Sequence, residues 1–228
     1  MDAAFRLSGA LSAAILSAAL ITAQSLPAVA ASDVWITGKD IPLAPGEFTI
    51  GNSSSVVRTV TGTVEAGKRY LQFKDDIYRE ELIETFDDSA TELTFMDQST
   101  LSLGPNSAVV LDRFVYNPDS DANEFVLSIT KGVLRFATGK LRSDAYEIHT
   151  PVSTIGVRGT VIDVAVGDGS NGTEKSMVLS VIEGEATVYA CGDKELTVHE
   201  GFSSEITGES GNCSYREPKA ISALMQEP

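Results

Sequence analysis

Beyond residue 55 the chain repeatedly alternates apolar and polar residues with a period of two. Glu92-Leu93-Thr94-Phe95-Met96, Thr100-Leu101-Ser102-Leu103 and Glu124-Phe125-Val126-Leu127-Ser128-Ile129 carry the pattern. Successive side chains of a strand point to opposite faces, so this period makes half-buried strands and no helical stripe. β-branched runs of strand length follow at Val161–Val166, Met177–Ile182 and Ala186–Tyr189. Turn formers separate the runs: Asp97-Gln98-Ser99, Gly104-Pro105-Asn106-Ser107, Asn117-Pro118-Asp119, Lys131-Gly132, Gly167 to Gly172 and Glu183-Gly184. The spacing predicts an all-β fold of many short strands: a sandwich, a roll or a barrel. A short helix is expected only within Pro218–Gln226.

Composition supplies the core and limits the partners. Hydrophobic residues make up 43% of the 228, which suits a packed domain and not a disordered chain. The net charge of −15 repels phosphate backbones and anionic lipid surfaces, so nucleic acid is excluded as an expected partner. Two Cys and two His cannot build a multi-cysteine zinc framework, and no cofactor is expected.

The first thirty residues read as an address. An apolar stretch from Leu7 to Ala23 follows Arg6 and ends at Ala28-Val29-Ala30, the small-residue pattern cut by signal peptidase. An uncleaved anchor helix is the alternative. Residues 1–30 are therefore expected to be a signal peptide, and residues 31–55 an extended lead-in with a linker at Gly51-Asn52-Ser53-Ser54-Ser55. The β domain is expected over 56–207 and a tail over 208–228. Cleavage would leave no membrane span and place the chain in the periplasm or outside the cell. In such an oxidising compartment Cys191 and Cys213 are most simply one disulfide, the alternative being two buried thiols.

Four motifs exceed composition. Asp97, Ser99, Leu101, Leu103 and Ser107 stand in a D-x-S-x-L-x-L-x-x-x-S array, with Pro105 and Asn106 in its second turn. Gly132 and Arg135 form G-x-x-R. Thr150, Pro151, Gly156, Arg158, Gly159 and Thr160 belong to T-P-x-S-x-x-G-x-R-G-T, and Glu183-Gly184 opens E-G-x-x-x-V. In this order the motifs resemble the FecR-domain family over roughly residues 60 to 205. Their physical reading is first structural. Asp97 and Ser99 can bond their own turn, and Leu101, Leu103, Val109 and Leu111 share one face. Gly156 and Gly159 permit close approach or unusual φ. Arg158 either ties loop carbonyls or a carboxylate together, or contacts an anion or a partner.

The resemblance implies a twisted, solenoid-like β roll or a jelly-roll-like sandwich of many short strands, and a signalling role. Classical members join a cytoplasmic segment that controls a sigma factor, one membrane span and an exported β domain that senses an outer-membrane receptor. Only six residues precede the apolar stretch here, so the chain is expected to be the exported domain alone, without the anti-sigma segment. The expected function is a non-catalytic interaction or sensory module whose partner is an envelope protein, met by strand addition to a free sheet edge. The alternative is a β domain binding a small molecule or carbohydrate, with Trp35, Tyr70, Tyr78, Phe86 and Tyr116 as stacking residues. No catalytic constellation stands out. His149 and His199 lie in no metal-ligand spacing, no serine sits in G-x-S-x-G, and Asp75, Asp76, Glu80, Glu81, Glu84, Asp87 and Asp88 read as a solvated strip. Asp119-x-Asp121-x-Asn123 begins like a calcium loop but lacks the glycine and the final acid.

Overall fold

The computed structural model describes residues 49–120, 122–169, 172, 174–191, 194–209 and 212–224. The signal-peptide expectation, Trp35 and the first part of the lead-in lie outside the described residues. What is described is almost wholly strand: β1 (Thr49–Val57), β2 (Val60–Val64), β3 (Gly67–Tyr70), β4 (Asp76–Tyr78), β5 (Leu82–Thr85), β6 (Ala90–Phe95), β7 (Thr100–Leu103), β8 (Ala108–Val115), β9 (Glu124–Ala137), β10 (Tyr146–His149), β11 (Ser153–Asp168), β12 (Lys175–Ala190), β13 (Lys194–His199), β14 (Phe202–Glu209), β15 (Asn212–Tyr215) and β16 (Lys219–Ala220). One helical turn, α1 (Ile221–Leu224), falls inside the stretch predicted for it.

All sixteen strands belong to one hydrogen-bonded sheet. It becomes two layers because three long strands bend and change partners. The first part of β9 pairs with β8 and, in parallel, with β10, whereas its last part pairs with β7 and β11. Strand β11 leaves β10 for β9 after Arg158, and β12 leaves β14 for β13 after Glu183. Each change falls at a glycine with positive φ: Gly132 (+96°), Gly159 (+56°) and Gly184 (+82°). These are bulged corners, the device by which a strand passes from one layer to the other. One layer thus runs β13-β12-β11-β10-β9-β8-β5-β2-β3, the other β15-β14-β12-β11-β9-β7-β6-β1-β4.

The core lies between them. Phe125 of the first layer meets Phe95 and Phe136 of the second at ring-centroid distances of 4.7 and 5.2 Å. Ile155, Val157, Val188 and Val198 of the first layer and Val164, Leu179 and Ile206 of the second belong to the same buried cluster. Leu101, Leu103, Val109 and Leu111 are all buried, as the alternation requires.

Three expectations are corrected. Lys131-Gly132 and Glu183-Gly184 are not turns between short strands but bends inside fourteen- and sixteen-residue strands. A single residue at positive φ kinks a strand without reversing it. The serine-rich linker is a strand: Gly51 to Ser55 lie in β1, between β4 and β6. Ser53 is fully buried and its Oγ accepts the Asp75 N–H at 3.1 Å, so serines suited to a flexible linker satisfy backbone donors instead. The acidic strip is not uniformly solvated either. Glu81 is fully buried and Asp75 nearly so, both held by Arg69 at 3.0 and 3.5 Å. The Glu81 carboxylate fills the space where a side chain on Gly62 would stand, 1.9 Å from its Oε1.

The expected tail is also part of the sheet. Strand β14 runs on to Glu209, and β15 pairs with it through Ile206–Glu209. Cys191 at the end of β12 is bonded to Cys213 on β15, with a Cα–Cα distance of 4.8 Å.

Candidate functional site

The motif residues divide into two groups once register is known. The first group is structural. Asp97 is fully buried, and its Oδ1 accepts the Ser99 N–H and Oγ–H at 3.1 and 2.6 Å. Its Oδ2 accepts the Tyr146 hydroxyl at 2.7 Å, and that oxygen in turn accepts the N–H of Gly139 and of Leu141 at 2.8 and 3.0 Å. Burial, then the hydrogen bond to Asp97, pushes Tyr146 ionisation above the ordinary tyrosine range. The D-x-S turn is thereby tied to the strand 49 residues away.

Ser107 does the same at the next corner. Its Oγ donates to Gly104 O at 2.9 Å and accepts Val133 N–H at 2.9 Å. Asn106 (φ +55°) makes the tight turn beside Pro105. Arg135 holds Asp163 in a two-pronged exposed pair at 2.6 and 2.7 Å. Thr150 closes the turn around Pro151 by accepting Ser153 N–H at 3.0 Å. Thr160 Oγ1 accepts Arg158 N–H and donates to Glu185 O, both at 2.9 Å. Thr160, not the Arg158 guanidinium, therefore braces the Gly159–Gly184 corner.

The second group faces out. On β11 the residues Ile155 and Val157 are buried, so Thr154, Gly156 and Arg158 point to solvent. Register aligns them with Tyr189, Thr187 and Glu185 on β12, which align with Glu195, Thr197 and His199 on β13. On the other side Glu147 stands beside Gly156. This face, together with the loop at Ser143 and Asp144, lines an open cleft of about 620 Å³.

Gly156 is the low point of its floor. A Cβ there would lie 3.8 Å from Tyr189 Cε2, so the tyrosine ring leans over the bare backbone and is half exposed. Arg158 makes no side-chain hydrogen bond or ion pair among the described residues. The Asp144 carboxyl, held below its usual range first by Arg142, also feels the Arg158 charge. Glu185 is paired with His199 at 3.0 Å and Glu147 with His149. Glu195 has no such partner among the described residues.

The cleft opens sideways onto β13. Among the described residues that strand is hydrogen-bonded to β12 alone, in a register without a bulge from Glu185↔His199 to Ala190↔Lys194. Of the described strands paired on one side only, β3, β4, β13, β15 and β16, it is the longest.

Sequence reasoning located Gly156 and Arg158 but not Tyr189, Glu147, Glu185 or Glu195, which become neighbours only through register. The alternation Glu185-Ala186-Thr187-Val188-Tyr189 already contained the common orientation of Glu185 and Tyr189. Of the aromatic residues expected to stack, Trp35 lies outside the described residues and the others are spread over β3, β4 and the segments after β5 and β8. Tyr70 is exposed on β3, Tyr78 is buried with its ionisation raised mainly by that burial, and Tyr116 packs on Phe114 with ring centroids 6.3 Å apart. Asn123 is committed to its own loop, accepting Asn117 N–H at 2.6 Å and donating to Ser120 O at 2.7 Å, while Asp121 lies outside the described residues. Among the described residues no group of three or more His, Cys, Asp or Glu side chains is arranged to hold a metal. Nor is any helix among them long and apolar enough to cross a membrane.

Residues 81–187 match the family model described as FecR protein. Two crystal structures of a protein from Parabacteroides distasonis ATCC 8503, provisionally described as an anti-sigma factor, are similar in fold, each at 15% sequence identity and a TM-score of 0.46. The similarity covers 64% of this chain and 64% of theirs, less than two thirds of their length. No curated protein matches the chain in sequence.

Proposed function

Since the chain carries a FecR-family domain at residues 81–187, we propose that it is an exported, non-catalytic protein-interaction module of the cell envelope, part of a signalling path. The observation that carries this reading is the face around β13. A six-residue strand with one edge unpaired among the described residues adjoins a cleft whose floor and rim include Gly156 and Arg158 of the T-P-x-S-x-x-G-x-R-G-T motif. A free edge offers a row of backbone donors and acceptors to an incoming strand, and natural folds cover or interrupt such edges unless they are used. The Cys191–Cys213 disulfide supports export, because such bonds persist in oxidising compartments. Arg158, exposed and unspent on its own fold, is the residue assigned to the partner.

Site-specific photo-crosslinking in native cells tests the proposal. A probe at Thr197, on β13, should capture one dominant envelope protein, and Arg158→Glu should abolish that adduct without changing the thermal midpoint. A probe at Val133, exposed on the other layer, should not capture it. Self-adducts alone, or the same adducts from both positions, would overturn the assignment.

A further inference from the structure

We infer that the partner contributes an extended segment bearing a lysine or arginine, which adds as a strand to β13 and sets that basic side chain against Glu195. The inference rests on the interaction reading above and adds the chemistry of the partner.

Three observations converge on it. The first is backbone geometry. β13 is regular in register and, among the described residues, unpaired on one side, so an added strand would stand about 4.8 Å from it. The second is charge. The cleft is lined by four carboxylates, Asp144, Glu147, Glu185 and Glu195, against one guanidinium, Arg158. Three of the four already have partners in Arg142, His149 and His199, which leaves Glu195, on β13 itself, as the unspent anion. The third is exposure. Glu195 is exposed on β13, and its cross-strand neighbour Tyr189 leans the other way, over Gly156 of β11. A carboxylate so placed favours a cation through an ion pair.

Side chains of an added strand alternate, and those on the cleft side align with Glu195, Thr197 and His199. A basic residue opposite Glu195 stands one strand spacing from that carboxylate, within reach of an ion pair, whereas the Tyr189 ring leans over Gly156 on the far side of β12. At the other end of the cleft Arg158 repels a second cation, so a uniformly basic segment is disfavoured and the register of the pairing is set by charge.

The probe is a phage-displayed library of random dodecapeptides, panned against the full mature chain. Retained peptides should be β-branched with one Lys or Arg. Synthesised singly, they should bind the wild type at least about tenfold more tightly than Glu195→Lys, which changes an exposed side chain. They should also slow amide exchange on β13. Peptides that bind Glu195→Lys equally well, that tolerate Glu in place of the basic residue, or that protect another edge would overturn the inference, as would no enrichment above background. The two readings fail separately. A Thr197 crosslink that survives Glu195→Lys leaves an interaction module and removes the basic segment, whereas no crosslink removes both. Should Glu195→Lys lower the thermal midpoint, Glu195→Gln replaces it, with a smaller loss of binding expected.

Discussion

Replacing Asp97 by asparagine keeps the shape of the side chain and removes one acceptor from a buried network that has none to spare. In the wild type Asp97 takes three hydrogen bonds, two from Ser99 and one from the Tyr146 hydroxyl. The tyrosine oxygen already accepts two backbone N–H groups, so its proton has only the carboxylate to go to. An amide can turn its oxygen to Ser99 or to Tyr146 but not to both. In the first orientation its NH2 confronts the tyrosine hydroxyl, and in the second it confronts the two Ser99 donors. A hydrogen bond to a charged group contributes about 1.5–3 kcal/mol and a stranded buried donor costs about 1–3 kcal/mol; the two overlap, so a loss of about 3 kcal/mol is expected. Against a domain stability of order 5–15 kcal/mol the variant still folds, with a clearly lower midpoint. Urea unfolding followed by far-ultraviolet circular dichroism reads the loss, with an unchanged slope if the unfolding remains two-state. Tyr146→Phe strands the Gly139 and Leu141 amides and costs a similar amount, and the double variant loses at least about 0.5 kcal/mol less than the sum, because the residues share one network. A loss below about 0.5 kcal/mol for Asp97→Asn, or strict additivity, would refute the account of this turn as an anchor.

Tyr146 also sets an alkaline limit. Its folded ionisation lies above the ordinary value near 10, so its contribution is complete below pH 10 and is lost as pH rises from there toward the folded value. Wild-type stability measured against pH should show this decline, and Tyr146→Phe should lack that component. Gly132→Ala places a Cβ 2.2 Å from Ser107 Oγ at a φ of +96° and is expected to cost about 3 kcal/mol or more. Gly159→Ala meets no atom within 4 Å and pays only for its left-handed backbone, about 1–2 kcal/mol; thermal unfolding of the pair should preserve that order. Reducing the Cys191–Cys213 bond, which closes a separation of 22 residues, should lower stability by about 3 kcal/mol in calorimetry with and without reductant.

Much of the architecture was legible because burial in a strand is local. Leu101, Leu103, Phe125, Leu127, Val164 and Leu179 announce the core by alternation alone. The mistakes arose where a residue's meaning depends on a strand far away. Gly132 and Gly184 have turn composition, and only their partners' register makes them bends within a strand. Ser53 reads as linker because its partner, the Asp75 amide, is 22 residues distant. Glu81 reads as surface until Arg69 is found beside it. The candidate cleft was half legible for the same reason. Gly156 and Arg158 stood in a recognisable motif, but Tyr189 and Glu195 join them only across β12 and β13.

The same register explains why the cleft lies beside a corner. Gly159 and Gly184 meet closely, since a Cβ on Gly184 would stand 2.4 Å from Gly159 O. A side chain on Gly184 has no room at that crossing, and the regular β11–β12 pairing stops at the preceding pair, Arg158 and Glu185. These two become the rim because the backbone leaves beneath them, not because they extend from a loop. The bend is braced by Thr160 through backbone atoms of Arg158 and Glu185, which leaves the Arg158 guanidinium free and holds its Cα fixed. A motif that reads as structural at Gly159 and Thr160 and as functional at Gly156 and Arg158 is thus one device. The glycines make the corner, and the corner presents the arginine.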